Sequence, residues 1–173
     1  GPKANRVLRR TLVQSKETLY GDAILGLRTS IMQNLDLTGQ VGLMFTSSTE
    51  NDGASIHALA LASSFSEMDK RVLLIEADFK KQTLSKALRS QNKLGLHAVS
   101  HKIADFAEVS ENIPELNITF LGAGEMKETP TNFFSGPEFG SFLSEVKSSY
   151  DLVILIAPST LNSSDARIIG KEV

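Results

Sequence analysis

Apolar residues recur at steps of three and four from Leu19 to Leu37 (Leu19, Ala23, Ile24, Leu27, Ile31, Leu35), which predicts an amphipathic helix ended by Gly39. The run Val41 to Phe45 is short, apolar and β-branched at its start, so it predicts a buried strand feeding a polar loop from Thr46 to Ala54. Ile56 to Phe65 is apolar almost all round, the pattern of a helix packed on a sheet. After Lys70 and Arg71 comes VLLIEAD, a continuous apolar run ending in acids, as expected of a parallel strand buried on both faces. Helices are predicted at Thr83 to Arg89, more weakly at His97 to Phe106, and around Phe139, Phe142, Leu143 and Val146. Two further strands are predicted, Asn117 to Leu121, closing on Gly122 and Gly124, and Leu152 to Ile156. A loop holding Pro130 separates the third strand from the last helix of this set, and another helix is expected from Ser164. Strands alternating with helices predict an α/β fold with a doubly wound parallel sheet between two helical layers. Such sheets bind ligands at the carboxyl ends of their strands.

At 173 residues the chain has a one-domain length with enough material for a real core. The net charge of −2 gives no footprint for nucleic acid, and none is expected as a partner. The one basic cluster, Lys3 to Arg10, reads either as a solvated tail or as a juxtamembrane segment meeting anionic lipid. Cysteine is absent, which excludes disulfides and thiolate metal sites. No apolar run approaches the roughly 20 residues of a membrane span. Gly1 and Pro2 read as a cloning or protease scar, so residues 1–18 are expected to be scar and basic segment, and residues 19–173 a domain cut from something longer. A doubly wound domain normally adds at least one more strand, so the fold is expected to continue past Val173.

The loop between the first strand and the second helix has the layout of a phosphate loop. Such a loop surrounds phosphate oxygens with backbone N–H groups at a helix amino terminus, while a lysine neutralises charge and the next hydroxyl helps hold magnesium. Here that core reads Gly53-Ala54-Ser55, with glycine and hydroxyl present and the lysine absent. Glu50 and Asp52 add two carboxylates to a loop, Thr49-Glu50-Asn51-Asp52-Gly53-Ala54-Ser55, that holds no cation. A charge-assisted hydrogen bond is worth on the order of 1.5–3 kcal/mol. The loop alone therefore also reads as an ordinary polar turn capped by Asp52 or Ser55, and ATP with magnesium is not expected as a cofactor.

With these residues in place, the chain from Tyr20 to Gly170 resembles the cytoplasmic domain of bacterial tyrosine kinases (BY-kinases), within the wider P-loop fold of MinD and ParA type. The family's TSATPGEGKST corresponds to Thr46-Ser47-Ser48-Thr49-Glu50-Asn51-Asp52-Gly53-Ala54-Ser55-Ile56. The family's D-x-D-x-R, whose acids serve magnesium and the attacking group, corresponds to Glu76-Ala77-Asp78-Phe79-Lys80; these also read as strand-end acids and a solvated basic pair. Lysine lacks arginine's bidentate fork. The family's YDxVIID-[TA]-P-P corresponds to Tyr150 through Ser159, with Ile156 where the metal-supporting acid stands. The family's E-x-x-R-x-x-R, used in ring-shaped self-association, corresponds to Asp22, Leu25 and Arg28. Its G…NP-x-E-L-L segment corresponds to Gly124 followed by Thr129 to Phe134, again without the acid.

The resemblance implies a module on the cytoplasmic face of a bacterial inner membrane, fused to or partnered with the polysaccharide co-polymerases that control capsule and exopolysaccharide chain length. Because phosphoryl transfer depends on positioning and charge neutralisation, the losses at Ala54 and Ile156 lead to the expectation that this is no enzyme. It would instead be a pseudokinase-like assembly or regulatory element, acting by self-association or by pairing with an active relative and with export components. The alternative is an unorthodox ATP-binding tyrosine kinase or ATPase that uses Asp78 for metal and recruits a lysine such as Lys80 or Lys81. A septum-placing ATPase of the same wider fold would carry an extra lysine early in the loop, where Ser48, Thr49 and Glu50 stand. Tyr20 and Tyr150 are isolated, so no tyrosine-rich tail is in view. His57, His97 and His101 match no metal motif in spacing, no metal is expected, and they read as surface or packing residues. Phe133 and Phe134 beside Pro130 read as packing under a loop or as a docking patch.

Overall fold

The computed structural model describes residues 19–35, 40–46, 53–90, 92–158, 167, 169–171 and 173. In chain order the elements are α1 (Leu19–Asn34), β1 (Val41–Phe45), α2 (Ala54–Ser66), β2 (Val72–Glu76), α3 (Thr83–Leu88), α4 (Leu96–Ser100), α5 (Phe106–Val109), β3 (Glu111–Ile113), β4 (Ile118–Leu121), α6 (Pro130–Ser135), α7 (Pro137–Lys147) and β5 (Leu152–Ile156). The strands form one sheet in the order β1-β5-β2-β4-β3. β1 with β5, β5 with β2 and β2 with β4 run parallel, while β3 runs antiparallel to β4. The sheet is therefore mixed and mostly parallel, with helices on both faces.

Its two faces follow from the two-residue period of a strand. Val72, Leu74, Ile154 and Ile156 meet Leu59, Leu61 and Phe65 of α2 and Leu84 and Leu88 of α3, with Ile24 and Ile31 of α1 at the margin. Leu73, Ile75, Val153 and Leu155 meet Leu96 and Val99 of α4, Phe133 and Phe134 of α6, and Phe139, Phe142 and Leu143 of α7. Every residue of β2 and β5 is buried, which is why both runs are apolar without alternation. In α2 the nine residues from Ala58 to Ser66 are all buried, because α1 covers the side turned from the sheet. Arg28 of α1 fastens that contact, donating from one guanidinium nitrogen to the Ser64 carbonyl and hydroxyl, both at 3.0 Å.

Three elements depart from the sequence expectation. α6 replaces the expected loop at Pro130: Thr129 accepts the Asn132 amide and proline occupies the first turn, where its missing N–H costs nothing, so this proline starts a helix. The expected helix from His97 to Phe106 is two short ones, because Lys102 adopts a left-handed backbone (φ 56°) that ends the first. β3 is three residues long with two polar positions, too short to show a period. α1 ends at Asn34; Gly39, expected to end it, and Ser164, expected to start the last helix, lie outside the described residues, as does the whole of 1–18. No helix among the described residues is long and apolar enough to cross a membrane.

Candidate functional site

The carboxyl ends of β1, β5 and β2 bring Phe45, Ile156 and Glu76 into one row, since Ile156 pairs with Phe45 on one side and Glu76 on the other. Above this row α2 begins. Gly53 is its N-cap in a left-handed backbone (φ 77°, ψ 13°), and its carbonyl accepts the amides of Ile56 and His57 at 2.9 and 3.0 Å. That backbone is open to glycine at no steric cost. Among the described residues no side chain caps α2, and the cap expected from Ser55 is not formed; Ala54 and Ser55 are the first two helical residues. Thr49, Glu50, Asn51 and Asp52 lie outside the described residues.

Ile156 is 2% exposed and packs in the apolar cluster shared by the sheet and α2. Glu76 beside it is fully buried. Its Oε1 accepts the Leu84 amide at 2.7 Å, and its Oε2 accepts the Ser85 amide at 3.1 Å and the Ser85 hydroxyl at 2.5 Å. The carboxylate thus serves the first turn of α3, whose orphan amides need acceptors and whose own N-cap, Gln82, supplies none. Burial pushes the Glu76 carboxyl above the usual carboxylate range, with nearby Asp78 pushing the same way and the three hydrogen bonds opposing.

Asp78 sits two residues further, at the edge of the row. Its Oδ1 accepts the amides of Lys80 and Lys81 at 3.2 and 2.9 Å, and the described residues make no hydrogen bond to Oδ2. Gln82 locks this turn from the far side, donating to the carbonyls of Phe79 (2.9 Å) and Gly124 (3.0 Å). The Asp78 turn is therefore tied to the loop that leaves β4. Lys80 is exposed and Lys81 half-buried at the same edge. Asp151 lies at the opposite end of the sheet, paired with Arg71 at 3.1 Å, and takes no part in this site.

On α1, Asp22 and Leu25 face outward while Arg28 turns in to α2. Phe133 and Phe134 are 2% and 1% exposed, so they are core residues and not a docking patch. The structure also joins residues that the sequence kept apart. His97 and His101, four positions apart on α4 and its cap, stack with ring centroids 4.4 Å apart, and both Nε2 atoms approach Glu128 Oε1, at 3.2 and 3.0 Å. The four-residue spacing matches no whole metal motif, yet it sets both rings on one face of a helix. The acid was not legible, because Glu128 reaches the pair only when β4 returns the chain beside α4. His57 lies apart from this cluster, on the first turn of α2.

This mostly parallel sheet, with a glycine-led turn opening onto a helix at its carboxyl edge, defines the class of P-loop folds of MinD type. The MinC:MinD cell division complex of Aquifex aeolicus superposes with a TM-score of 0.60 at 15% identity, covering 76% of this chain and 52% of that one, a likeness of fold alone. Within that class the chain is a homologue of the bacterial tyrosine kinases. It is 31% identical over 128 residues to the tyrosine-protein kinase YwqD of Bacillus subtilis, covering 74% of this chain and 54% of that protein. To the tyrosine-protein kinase Wzc of Salmonella typhi it is 28% identical over 152 residues, 88% of this chain and 21% of that protein. A putative tyrosine-protein kinase in the cps region of Klebsiella pneumoniae is also 28% identical, over the same shares of the two chains. The kinase domain of Escherichia coli Etk superposes with a TM-score of 0.79 at 25% identity, covering 88% of this chain and 60% of that one. The chain thus spans about half of one of these curated relatives and a fifth of the others. No family model matches it.

These relatives overturn one expectation. The losses at Ala54 and Ile156 suggested a chain that is no enzyme, yet the proteins it descends with are named as tyrosine-protein kinases. Two side chains that differ from a motif do not by themselves make the chain inactive.

Proposed function

We propose that this chain is the nucleotide-handling domain of a bacterial tyrosine kinase that serves capsule or exopolysaccharide synthesis and export, on the cytoplasmic face of the inner membrane beside a membrane-spanning partner. The homology to tyrosine-protein kinases carries the reading, and the relative named for a cps region supplies the process. In this proposal phosphate meets the backbone of Gly53 and the amino end of α2, where N–H groups and the helix dipole favour anions. Asp78, whose Oδ2 takes no hydrogen bond from the described residues, would hold a magnesium ion, and that ion would supply charge neutralisation for phosphoryl transfer. Lys80 or Lys81, one and two residues past Phe79, provides the cation that Ala54 does not. Glu76 holds α3 and so fixes the frame on which Asp78 stands. Leu25 and Met32, 45% and 37% exposed and seven residues apart on one side of α1, form the face through which a second copy would pair.

Calorimetry with magnesium and ATP tests the chemistry, together with transfer of labelled phosphate to tyrosine. The expected result is micromolar affinity that is lost in Asp78→Ala along with transfer. A folded wild-type chain that neither binds nor transfers ends the proposal.

A further inference from the structure

We propose that His97, His101 and Glu128 form a binding site for a divalent transition metal of the zinc type, separate from the nucleotide edge. Each residue offers one ligand atom, and these atoms all lie within 4.8 Å of one another. Metal–ligand bonds to zinc are about 2.0–2.2 Å for nitrogen and oxygen, so neighbouring ligands of a tetrahedral shell stand roughly 3.3 Å apart. The two Nε2–Oε1 distances, 3.2 and 3.0 Å, are already close to that spacing. The two Nε2 atoms lie within 4.8 Å of each other, so the stacked rings must turn before all three atoms face a common centre.

The donor set selects the metal. Two imidazoles and one carboxylate suit zinc, cobalt or nickel, whereas magnesium prefers oxygen and keeps its waters. Three protein ligands leave a fourth position for water. The His97 side chain is 6% exposed, and Phe133 lies 5.6 Å from the His97 ring and 6.1 Å from that of His101, so the pair stands against an apolar wall. One carboxylate oxygen meets both rings, while His101 Nδ1 is buried with no hydrogen-bond partner among the described residues. A metal would draw all three residues together and cross-link α4 to the segment that enters α6.

The test uses the whole chain, freed of metal by chelator and dialysis, titrated with cobalt by visible absorption and with zinc by calorimetry, with magnesium as the comparison. One equivalent of zinc at micromolar affinity or tighter is expected, with a rise in melting temperature that magnesium does not reproduce. His101→Gln and Glu128→Gln, both at partly exposed positions, are each expected to weaken zinc binding at least tenfold with circular dichroism unchanged, and His57→Gln to leave it unaltered. The proposal is overturned if folded wild-type protein takes up no stoichiometric zinc, or if affinity persists in both variants. Should either variant unfold, the zinc-dependent melting shift of the wild type decides alone.

Discussion

At the scale of single residues, Glu76 shows why a motif position is not yet a role. From sequence it read as a strand-end acid or a metal ligand, and both readings assumed a carboxylate at the edge of the site. Its extra methylene carries the carboxyl under α3, where both oxygens are occupied. Removing it in Glu76→Ala strands two buried amides at a helix start and is expected to cost about 2–4 kcal/mol in urea unfolding. Its titration has a defined sign. The folded chain holds this carboxyl above its ordinary value of 4.5, so it binds the proton more tightly than the unfolded chain does. Stability from that difference is fully present below about pH 4.5 and is lost as pH rises through the raised folded value. Glu76→Gln lacks this slope, so the stability gap between wild type and variant is expected to narrow with rising pH across that window. A gap that widens instead would mean the hydrogen bonds outweigh burial.

At the scale of elements, α4 owes its place to a backbone contact. A Cβ built on Gly95 would lie 2.4 Å from the Gly122 carbonyl oxygen and 2.6 Å from the Gly124 amide, and the Leu96 amide donates to the Gly122 carbonyl at 2.9 Å. Gly95→Ala is expected to push α4 off the end of β4, costing about 3 kcal/mol by denaturant titration. It should also spread His97 and His101 from Glu128. An unchanged midpoint would show that the loop after β4 yields freely. The elements that sequence made legible are apolar runs: β2, β5, α2 and α7, and β1, expected buried but half-buried throughout because it is the sheet's edge strand, match their predicted positions to within two residues. Those it missed take their place from distant chain. β3 exists because β4 lies beside it, and the histidine pair gains its acid only through the same return. α6 was hidden for a different reason, since a proline that starts a helix and one that stops it look alike in isolation.

At the scale of the whole molecule, the two faces of the sheet are closed, and Leu25, Leu27, Met32 and Leu35 leave exposed apolar side chains on or just beyond α1. Leu25 and Met32 lie seven residues apart, on one side of the helix, and are 45% and 37% exposed. If a second copy covers them, sedimentation should show mass rising with concentration, and Leu25→Asp with Met32→Asp should hold the chain as a monomer with its melting temperature nearly unchanged. Wild-type protein that sediments as a monomer at every concentration would remove this surface from the proposal. The flanks of the sheet add a direction to any growth by strand addition. On one flank β3 offers three residues, with Glu111 and Asn112 among them, too short and too polar to template a neighbour. On the other, β1 is a five-residue apolar ribbon that bonds β5 along one rim only. Among the described residues, then, the sheet can lengthen past β1 and not past β3, so an incoming strand has one berth.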